Sequence, residues 1–340
     1  MKTSKGHIKI ENRKADHIDL TAKSQMNNVQ PDRRFYYEPV LSNMIRKNIR
    51  TEFGEFVFDA PIWVSSMTGG TTNAGKINEN LSRISNKYNL GMGLGSCRQL
   101  LDSNTHLKDF SVRKFIGERP LFANLGISQV ESLLAKNKFY KINELVDKLE
   151  ANGLIIHINP MQEFTQPGGD KIQINPVLTI KKLLNKAKFK LIIKEVGQGF
   201  GINSLRELMQ LPLWAIEFGA FGGTNFTKLE LMRNDKKWSE QYLPLMNVGH
   251  NAEEMVEFVN YLKNELNNKN KCTRFIISGG IRDFLDGYYL TEKIEYPALY
   301  GMASAFLKPA MESYDELDEF VAKHIEGLRM VSNFLRIKNN

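Results

Sequence analysis

Eight short apolar runs recur after residue 60 of this 340-residue chain, and longer amphipathic segments separate them. Each run is almost continuously hydrophobic and is followed by glycine or polar residues, which is typical of strands buried on both faces of a parallel sheet. The runs are 61-PIWVSSM-67, 91-GMGLGS-96, 120-PLFANLG-126, 153-GLIIHIN-159, 189-FKLIIKEV-196, 213-LWAIEFG-219, 274-RFIISGG-280 and 298-ALYGMA-303.

Apolar residues recur at helical spacing in the segments between these runs. Examples are Ile77, Leu81, Ile84 and Tyr88, then Ile142, Leu145, Val146 and Leu149, and later Met255, Phe258, Val259 and Leu262. Eight strands that alternate with helices predict an α/β fold of the closed (β/α)8 kind, the TIM barrel. We expect the barrel to occupy residues 61–340, after an N-terminal extension of residues 1–60, with a closing helix near 314–336.

The chain carries a formal charge of +8, and residues 1–50 contribute eleven basic and five acidic side chains to it. These basic residues alternate with acidic and apolar ones and form no continuous block, and no nucleic-acid motif occurs elsewhere. A basic arm can indicate nucleic acid, an anionic membrane surface or a phosphorylated small molecule as a partner, and this pattern disfavours nucleic acid. We therefore expect no nucleic-acid partner, and most of these charges to be solvated surface.

Three further features bear on the compartment. No apolar run is long enough for a membrane span, and residues 1–14 lack the apolar stretch of a signal peptide. The only cysteines are Cys97 and Cys272, which argues against a disulfide framework. We expect a cytoplasmic protein that does not associate with a membrane.

Function in such barrels gathers at the carboxyl ends of the strands. The glycine-bearing ends 278-SGGIR-282 and 301-GMA-303 follow the seventh and eighth predicted strands, where backbone N–H groups and a helix N-terminus commonly hold phosphate. Gly222, Gly223 and Thr224 follow the sixth strand and could extend that cradle. The alternative is that these are glycines of tight turns with no ligand.

Two other strand ends carry candidate catalytic and ligand-binding side chains. Lys194 ends the fifth predicted strand, where it could form a Schiff base, bind phosphate or place charge beside a cofactor ring, or simply pair with Glu195. On the fourth strand His157 and Asn159 share a face, and His157 could equally be a hydrogen-bonded core residue. Gln162 and Glu163 follow, and one carboxylate beside substrate phosphates suffices for Mg²⁺.

Taken in order, these residues resemble the type 2 isopentenyl-diphosphate delta-isomerases over nearly the whole chain. The resemblance rests on 13-RKADHI-18, 65-SSMTGG-70, 95-GSCR-98, 122-FANLG-126, 157-HINPMQE-163, 193-IKEVG-197, 222-GGT-224, 278-SGGIR-282 and 301-GMASAFLKPA-310. It implies a cytosolic homo-oligomer that interconverts isopentenyl and dimethylallyl diphosphates. It also implies reduced FMN and Mg²⁺ as cofactors, with NADPH as the reductant.

The resemblance also assigns roles to individual residues. It places around the flavin Ser66, Met67, Thr68, Ser96, Asn124, Lys194 and Thr224. It places at the flavin phosphate Gly279, Gly280, Ile281, Met302 and Ala303. It implies that Arg13, Lys14 and Arg98 meet the substrate diphosphate, that Gln162 contacts substrate and that Glu163 ligates Mg²⁺. The catalytic candidates are Gln162, Lys194 and His157, although the reduced flavin itself is the expected acid and base.

The chain departs from the family pattern at three places. The pattern QPEGDR reads 166-QPGGDK-171 here, so Gly168 replaces a carboxylate. The Asp-x-Ser/Ala-Gly run before GGT reads 217-EFGAFGGT-224, which puts Gly219 and Ala220 at the small-residue and glycine positions. GSQR reads GSCR, and we expect Cys97 to be a packing residue. These departures leave room for altered substrate choice or activity.

Two other functions compete with the isomerase interpretation. One is an FMN-dependent 2-hydroxy acid oxidase or dehydrogenase, a related barrel that needs a catalytic His–Arg pair after the sixth and seventh strands. The sequence GGTNFT after the sixth strand contains no histidine, which disfavours that function. The other is a diverged, non-catalytic flavin-binding protein, which would have no need of Gln162, Glu163 and Lys194.

Overall fold

A computed structural model describes residues 13, 16–26, 28, 30–41, 48–67 and 72–338. The strands are β1 (Phe35–Tyr37), β2 (Thr51–Phe53), β3 (Phe56–Phe58), β4 (Ile62–Val64), β5 (Gly91–Gly93), β6 (Leu121–Gly126), β7 (Gly153–Ile158), β8 (Lys190–Glu195), β9 (Ala215–Glu217), β10 (Phe275–Ser278), β11 (Ala298–Met302) and β12 (Leu335–Ile337).

Helices follow the strands along the chain. They are α1 (Thr72–Lys87), α2 (Leu107–Phe110), α3 (Arg113–Ile116), α4 (Ile127–Ala135), α5 (Tyr140–Lys148), α6 (Pro160–Thr165), α7 (Pro176–Leu184), α8 (Ile202–Met209), α9 (Phe226–Arg233), α10 (Lys236–Tyr242), α11 (Ala252–Leu266), α12 (Phe284–Lys293), α13 (Ser304–Glu312) and α14 (Tyr314–Phe334). Short 3-10 turns cover Pro39–Leu41, Arg98–Leu101, Leu243–Asn247 and Asn267–Lys269. Among the helices of this part of the chain, none has the length and apolarity that a bilayer crossing requires.

Strands β4 to β11 form a closed barrel in which every neighbouring pair is parallel, in the order β10-β11-β4-β5-β6-β7-β8-β9. Each of the eight apolar runs contains one barrel strand, so the predicted (β/α)8 barrel is confirmed. The long helix α14, which follows the barrel, also matches the predicted closing helix near 314–336. The register pairs His157 of β7 with Lys194 of β8, and Lys194 with Glu217 of β9.

Helix starts are set by side chains that accept backbone N–H groups in the first turn. Asn225 caps α9, Asn251 caps α11 and Ser313 caps α14 in this way. Asp283 accepts from the N–H groups of both Leu285 and Asp286 at the start of α12. Such caps fix where each helix begins and therefore which residues remain in the loops at the strand ends.

The amino end of the barrel is filled by an aromatic cluster. The antiparallel hairpin of β2 and β3 inserts Phe53 and Phe58, which are almost completely buried, against barrel residues. The Trp214 ring packs at a tilt against the Phe122 ring, with centroids 4.9 Å apart. It packs edge-on against the Phe53 ring, with centroids 5.1 Å apart. This packing closes the barrel opposite the strand ends where the candidate site residues lie.

A second part of the extension reaches the carboxyl side of the barrel. Strand β1 pairs antiparallel with β12, next to the barrel. Arg34, just before β1, places Nη1 2.7 Å from Oδ1 of the buried Asp286. The other oxygen of Asp286 accepts the backbone N–H of Arg282 at 3.0 Å and its Nε at 2.9 Å. The extension is thereby tied to the turn that follows β10.

Candidate active site

A cavity of about 420 Å³ opens at the carboxyl ends of strands β4, β8, β9, β10 and β11. Eight of the residues assigned to the flavin by resemblance line it, and they are Ser66, Lys194, Thr224, Gly279, Gly280, Ile281, Met302 and Ala303. The wall also includes Ser65, Gly222, Gly223, Ser278 and Arg282. The fold thus brings together residues that are up to 237 positions apart in sequence, from Ser66 to Ala303.

The turns after β9 and β10 approach each other so closely that they require glycine. A Cβ on Gly279 would lie 2.1 Å from the Ala220 carbonyl oxygen, and one on Gly280 would lie 3.2 Å from that of Phe221. Both glycines have positive φ, +93° and +75° respectively. Because no side chains fill this space, backbone groups line the cavity, and the first residues of α13 lie beside them. Backbone amides with a helix N-terminus suit an anion such as phosphate.

Lys194 points into this cavity, and only 12% of its side chain is exposed. Its Nζ donates to the backbone carbonyl of Glu195 at 2.8 Å and lies 3.5 Å from Oε1 of Glu217. The carboxylate of Glu195 is not its partner, because successive side chains of a strand point to opposite faces. Glu195 instead accepts the backbone N–H groups of Gly197, Gln198 and Gly199.

Glu217 is a residue that the sequence reasoning missed. It is fully buried, and its Oε1 accepts the Ser65 hydroxyl at 2.7 Å, while no described residue makes a hydrogen bond to the buried Oε2. The available signal was a charged residue inside the apolar run 213-LWAIEFG-219. A carboxylate there is costly to bury without a partner, which marks the position as one with a specific role.

The residues around the cavity fit a flavin mononucleotide. The Ser66 hydroxyl is buried and has no hydrogen-bond partner among the described residues, so it is available to bond a ligand group. The glycine turns offer backbone amides to a phosphate, and Lys194 offers a positive charge at the side of the cavity. An unsatisfied donor, an anion-binding turn and a cation in one cavity are what a phosphorylated, electron-accepting ring requires.

His157 lies beside Lys194 on the neighbouring strand. Its Nδ1 is 2.8 Å from Oδ1 of Asn124, whose Nδ2 donates to the Leu94 carbonyl at 3.0 Å. Since Oδ1 is then the acceptor, this network assigns the imidazole proton to Nδ1 and leaves Nε2 unprotonated. Burial, followed by the nearby charge of Lys194, lowers the pKa of His157 to about 4. His157 is therefore neutral at pH 7.

Gln162 and Glu163 stand side by side on α6. Asn159 Nδ2 donates to Gln162 Oε1 at 2.9 Å and to Glu163 Oε1 at 3.1 Å. Gln162 Nε2 in turn contacts Oε1 of the buried Glu230 at 3.3 Å. These contacts hold one amide oxygen and one carboxylate together, which is an oxygen donor set of the kind Mg²⁺ accepts beside substrate phosphates. No group of three or more His, Cys, Asp or Glu able to hold a metal occurs among the described residues.

Asp170 connects Glu163 with Arg98. Its backbone N–H donates to Glu163 Oε2 at 2.6 Å, and its Oδ2 lies 2.7 Å from Nη1 of Arg98. Gln129 donates to the same oxygen at 2.6 Å. More than half of the Arg98 side chain is exposed, so its guanidinium keeps donors available at the rim. The sequence reasoning quoted Asp170 only within a motif and gave it no role.

The remaining assigned residues lie less centrally or cannot be placed. Met67 is half-buried and packs on the core, and Ser96 is exposed. Arg13 is exposed. Lys14 and Thr68 lie outside the described residues. The roles given to these five residues stay predictions.

Comparison with known proteins adds a family to this geometry. The chain matches no protein-family model. It is 33% identical over 273 residues to an isopentenyl-diphosphate delta-isomerase of Rickettsia felis, covering 80% of this chain and 75% of that protein. It is 30% identical over 329 residues to the isomerase of Rickettsia africae, covering 94% and 91%. The chain belongs to the isopentenyl-diphosphate delta-isomerase family.

Solved structures support the fold of this isomerase-family chain. A mandelate oxidase mutant with an FMN adduct superposes with a TM-score of 0.60 at 10% identity, covering 91% of this chain and 88% of that one. The flavin-binding domain of baker's yeast flavocytochrome b2 gives 0.58 at 14% identity, covering 88% and 72%. At this level of identity the likeness concerns the fold alone.

The departures from the isomerase-family pattern have distinct surroundings. Gly219 has φ +55°, and a Cβ there would lie 2.0 Å from the Glu195 carbonyl oxygen. Gly168 has φ +67° but nothing within 4 Å of such a Cβ. Cys97 is fully buried, and burial raises the pKa of its thiol to about 12, consistent with a packing residue. Ala220 is buried where it meets Gly279.

Proposed function

We propose that this protein interconverts isopentenyl and dimethylallyl diphosphates with reduced FMN bound in the cavity at the barrel's carboxyl end. The observation that carries the proposal is the alignment of isomerase relatives with 94% of the chain, together with eight assigned flavin-binding residues around one cavity. The FMN adduct of the mandelate oxidase mutant, which shares this fold, supports the choice of cofactor. The cytoplasmic location, the homo-oligomer and NADPH as reductant belong to the same proposal.

We place the substrate diphosphate and Mg²⁺ on the side of the site formed by α6 and the end of β5. Glu163 would ligate Mg²⁺, and Gln162 beside it would contact the substrate. Arg98, held by Asp170, would meet the diphosphate together with Arg13 and Lys14. A carboxylate is a preferred ligand of Mg²⁺, and a guanidinium donates charge-assisted hydrogen bonds to phosphate oxygens.

The reaction adds a proton at one end of an allylic unit and removes one at the other. Bound reduced FMN would supply the acid–base chemistry for the addition of one proton and the removal of the other. The side chains around it hold the reactants in place, exclude water and set the charge. Lys194 contributes a positive charge in the cavity, and the neutral His157 orients Asn124 through its Nδ1–H.

The 2-hydroxy acid oxidase alternative loses support from the position of the one histidine between β9 and α11. That residue, His250, contacts Glu254 through Nδ1 at 3.0 Å and packs edge-on against Phe258. No histidine lines the cavity among the residues that the structure describes. A base for abstracting a proton from a hydroxy acid is therefore missing from that wall.

An anaerobic assay tests the proposal. Purified protein is supplied with isopentenyl diphosphate, Mg²⁺, FMN and dithionite or NADPH, and dimethylallyl diphosphate is followed by chromatography. We expect product only when the flavin is present and reduced, and the control samples hold oxidised FMN or none. Lack of product from protein that binds reduced FMN would reject the isomerase proposal.

A further inference from the structure

Lys194 and Glu217 are direct register partners on neighbouring strands, and both side chains enter the barrel mouth. Glu217 is fully buried, and its Oε1 accepts the Ser65 hydroxyl at 2.7 Å and lies 3.5 Å from Lys194 Nζ. Its Oε2 is buried and has no hydrogen-bond partner in the part of the chain that the structure describes. The carboxylate therefore contacts both Ser65, the residue after β4, and Lys194 of β8.

A buried carboxylate is stable only when a cation or several donors compensate it. Ser65 supplies one hydrogen bond to Glu217, and Lys194 supplies the opposite charge. The lysine depends on Glu217 in turn, because its ammonium otherwise has one acceptor among the described residues, the backbone carbonyl of Glu195. The two acceptors lie on β8 and β9 and together define where the ammonium sits at the edge of the cavity.

We propose that Glu217 is a positioning residue: it holds Lys194 at the cavity wall and balances its charge beside the flavin ring. The inference rests on the proposed function only where it concerns FMN, since the pairing of the two side chains can be tested without the cofactor. Oxidised FMN then meets a nearly neutral pair instead of an isolated ammonium. The Lys194 ammonium remains positioned beside the ring when the flavin is reduced and more electron-rich.

The first test is a thermal-unfolding cycle on the FMN-free protein with K194M, E217Q and the double variant. K194M leaves a buried carboxylate without its cation, and we expect Tm to fall by about 5 °C. E217Q/K194M contains no unpaired charge, so it should regain most of that loss. A double variant no more stable than K194M would overturn the pairing.

A matched control is available on the same strand. Lys190, at the other end of β8, lies 2.6 Å from Glu55, and this pair is partly exposed to solvent. K190M, E55Q and their combination should each change Tm by about 1 °C or less, because exposed ion pairs contribute little. An equal response from both pairs would show that the cycle reports nothing specific to the site.

The second test reads the flavin and remains valid if K194M fails to fold. In E217Q holoprotein the unbalanced lysine should raise the affinity for reduced FMN relative to oxidised FMN about tenfold, or about 30 mV for a two-electron couple. E217D keeps the charge, so its affinity for reduced FMN relative to oxidised FMN should stay within about twofold of the wild-type ratio. An unchanged midpoint potential in folded, FMN-loaded E217Q would overturn the proposal, whereas absence of FMN binding in wild type would count against the proposed function and leave the first test intact.

Discussion

At the scale of single residues, burial sets the charge of two histidines, His157 and His324. His157 beside the cavity and His324 behind the barrel are each held through a hydrogen bond, to Asn124 and to Tyr300 respectively. Burial is the main cause that lowers the pKa of each to about 4. Neither imidazole is therefore a source of positive charge at neutral pH, and the basic side chains that line the cavity are Lys194 and Arg282.

These lowered pKa values predict a loss of stability in acid. Between pH 6.5 and about 4 the unfolded chain binds protons on both histidines that the folded chain refuses, so the free energy of unfolding falls as pH falls through this window. Each histidine contributes at most about 3 kcal/mol to that fall. H157Q and H324Q should each lose less stability than wild type in urea melts at pH 7 and 4.5. Parallel pH curves for wild type and variants would contradict the buried, neutral imidazoles.

Glu163 gives a second prediction at this scale. E163Q keeps the shape of the side chain but removes the charge that a divalent cation needs, so the Mg²⁺ concentration for half-maximal turnover should rise at least about tenfold. The Kd for FMN, measured by fluorescence quenching, should not change. The exposed Glu144 of α5 gives the control variant E144Q. Unchanged Mg²⁺ dependence in E163Q would remove its metal role.

At the scale of elements, the turns after the strands decide which substitutions the site tolerates. Gly219 and Gly168 both have positive φ, but only Gly219 is crowded, by the backbone of Glu195. G168A should therefore cost about 1 kcal/mol of unfolding free energy for the φ angle alone. G219A should cost several times as much and weaken FMN binding, because the end of β9 must shift. Equal costs in denaturant melts would show that the contact at Gly219 relaxes freely.

Some elements of this fold could be predicted from the sequence pattern and others could not. Continuous apolar runs ending in glycine or polar residues were sufficient to find all eight barrel strands and the strand ends that line the cavity. The contact of Lys194 with Glu217 depends on the stagger of β8 against β9, and sequence periodicity carries no information on stagger between strands. The hairpin of β2 and β3 was also missed, since 51-TEFGEFVF-58 lies outside the repeating pattern and is short.

At the scale of the whole molecule, the aromatic packing that stabilises the barrel and the candidate site lie at opposite ends of the barrel. The aromatic cluster of Phe53, Phe58 and Trp214 fills the amino end, and the cavity lies at the carboxyl end. F53A should cost about 3–5 kcal/mol in unfolding free energy because it leaves a cavity among buried rings. The Kd of the folded F53A variant for FMN should stay the same as that of wild type. The control is V57A, at an exposed position of the same hairpin, which should change the unfolding free energy by at most about 0.5 kcal/mol. A parallel loss of FMN affinity in F53A would show that the two ends are coupled.

The pairing of β1 with β12 joins residues 35–37 to residues 335–337, almost the full length of the chain apart. During synthesis the barrel strands all emerge before β12 does, so β1 cannot pair with β12 until residues 335–337 have left the ribosome. Contacts between such distant segments form late, because a long loop must close first. The β1–β12 seam can therefore form only after all eight barrel strands have been synthesised.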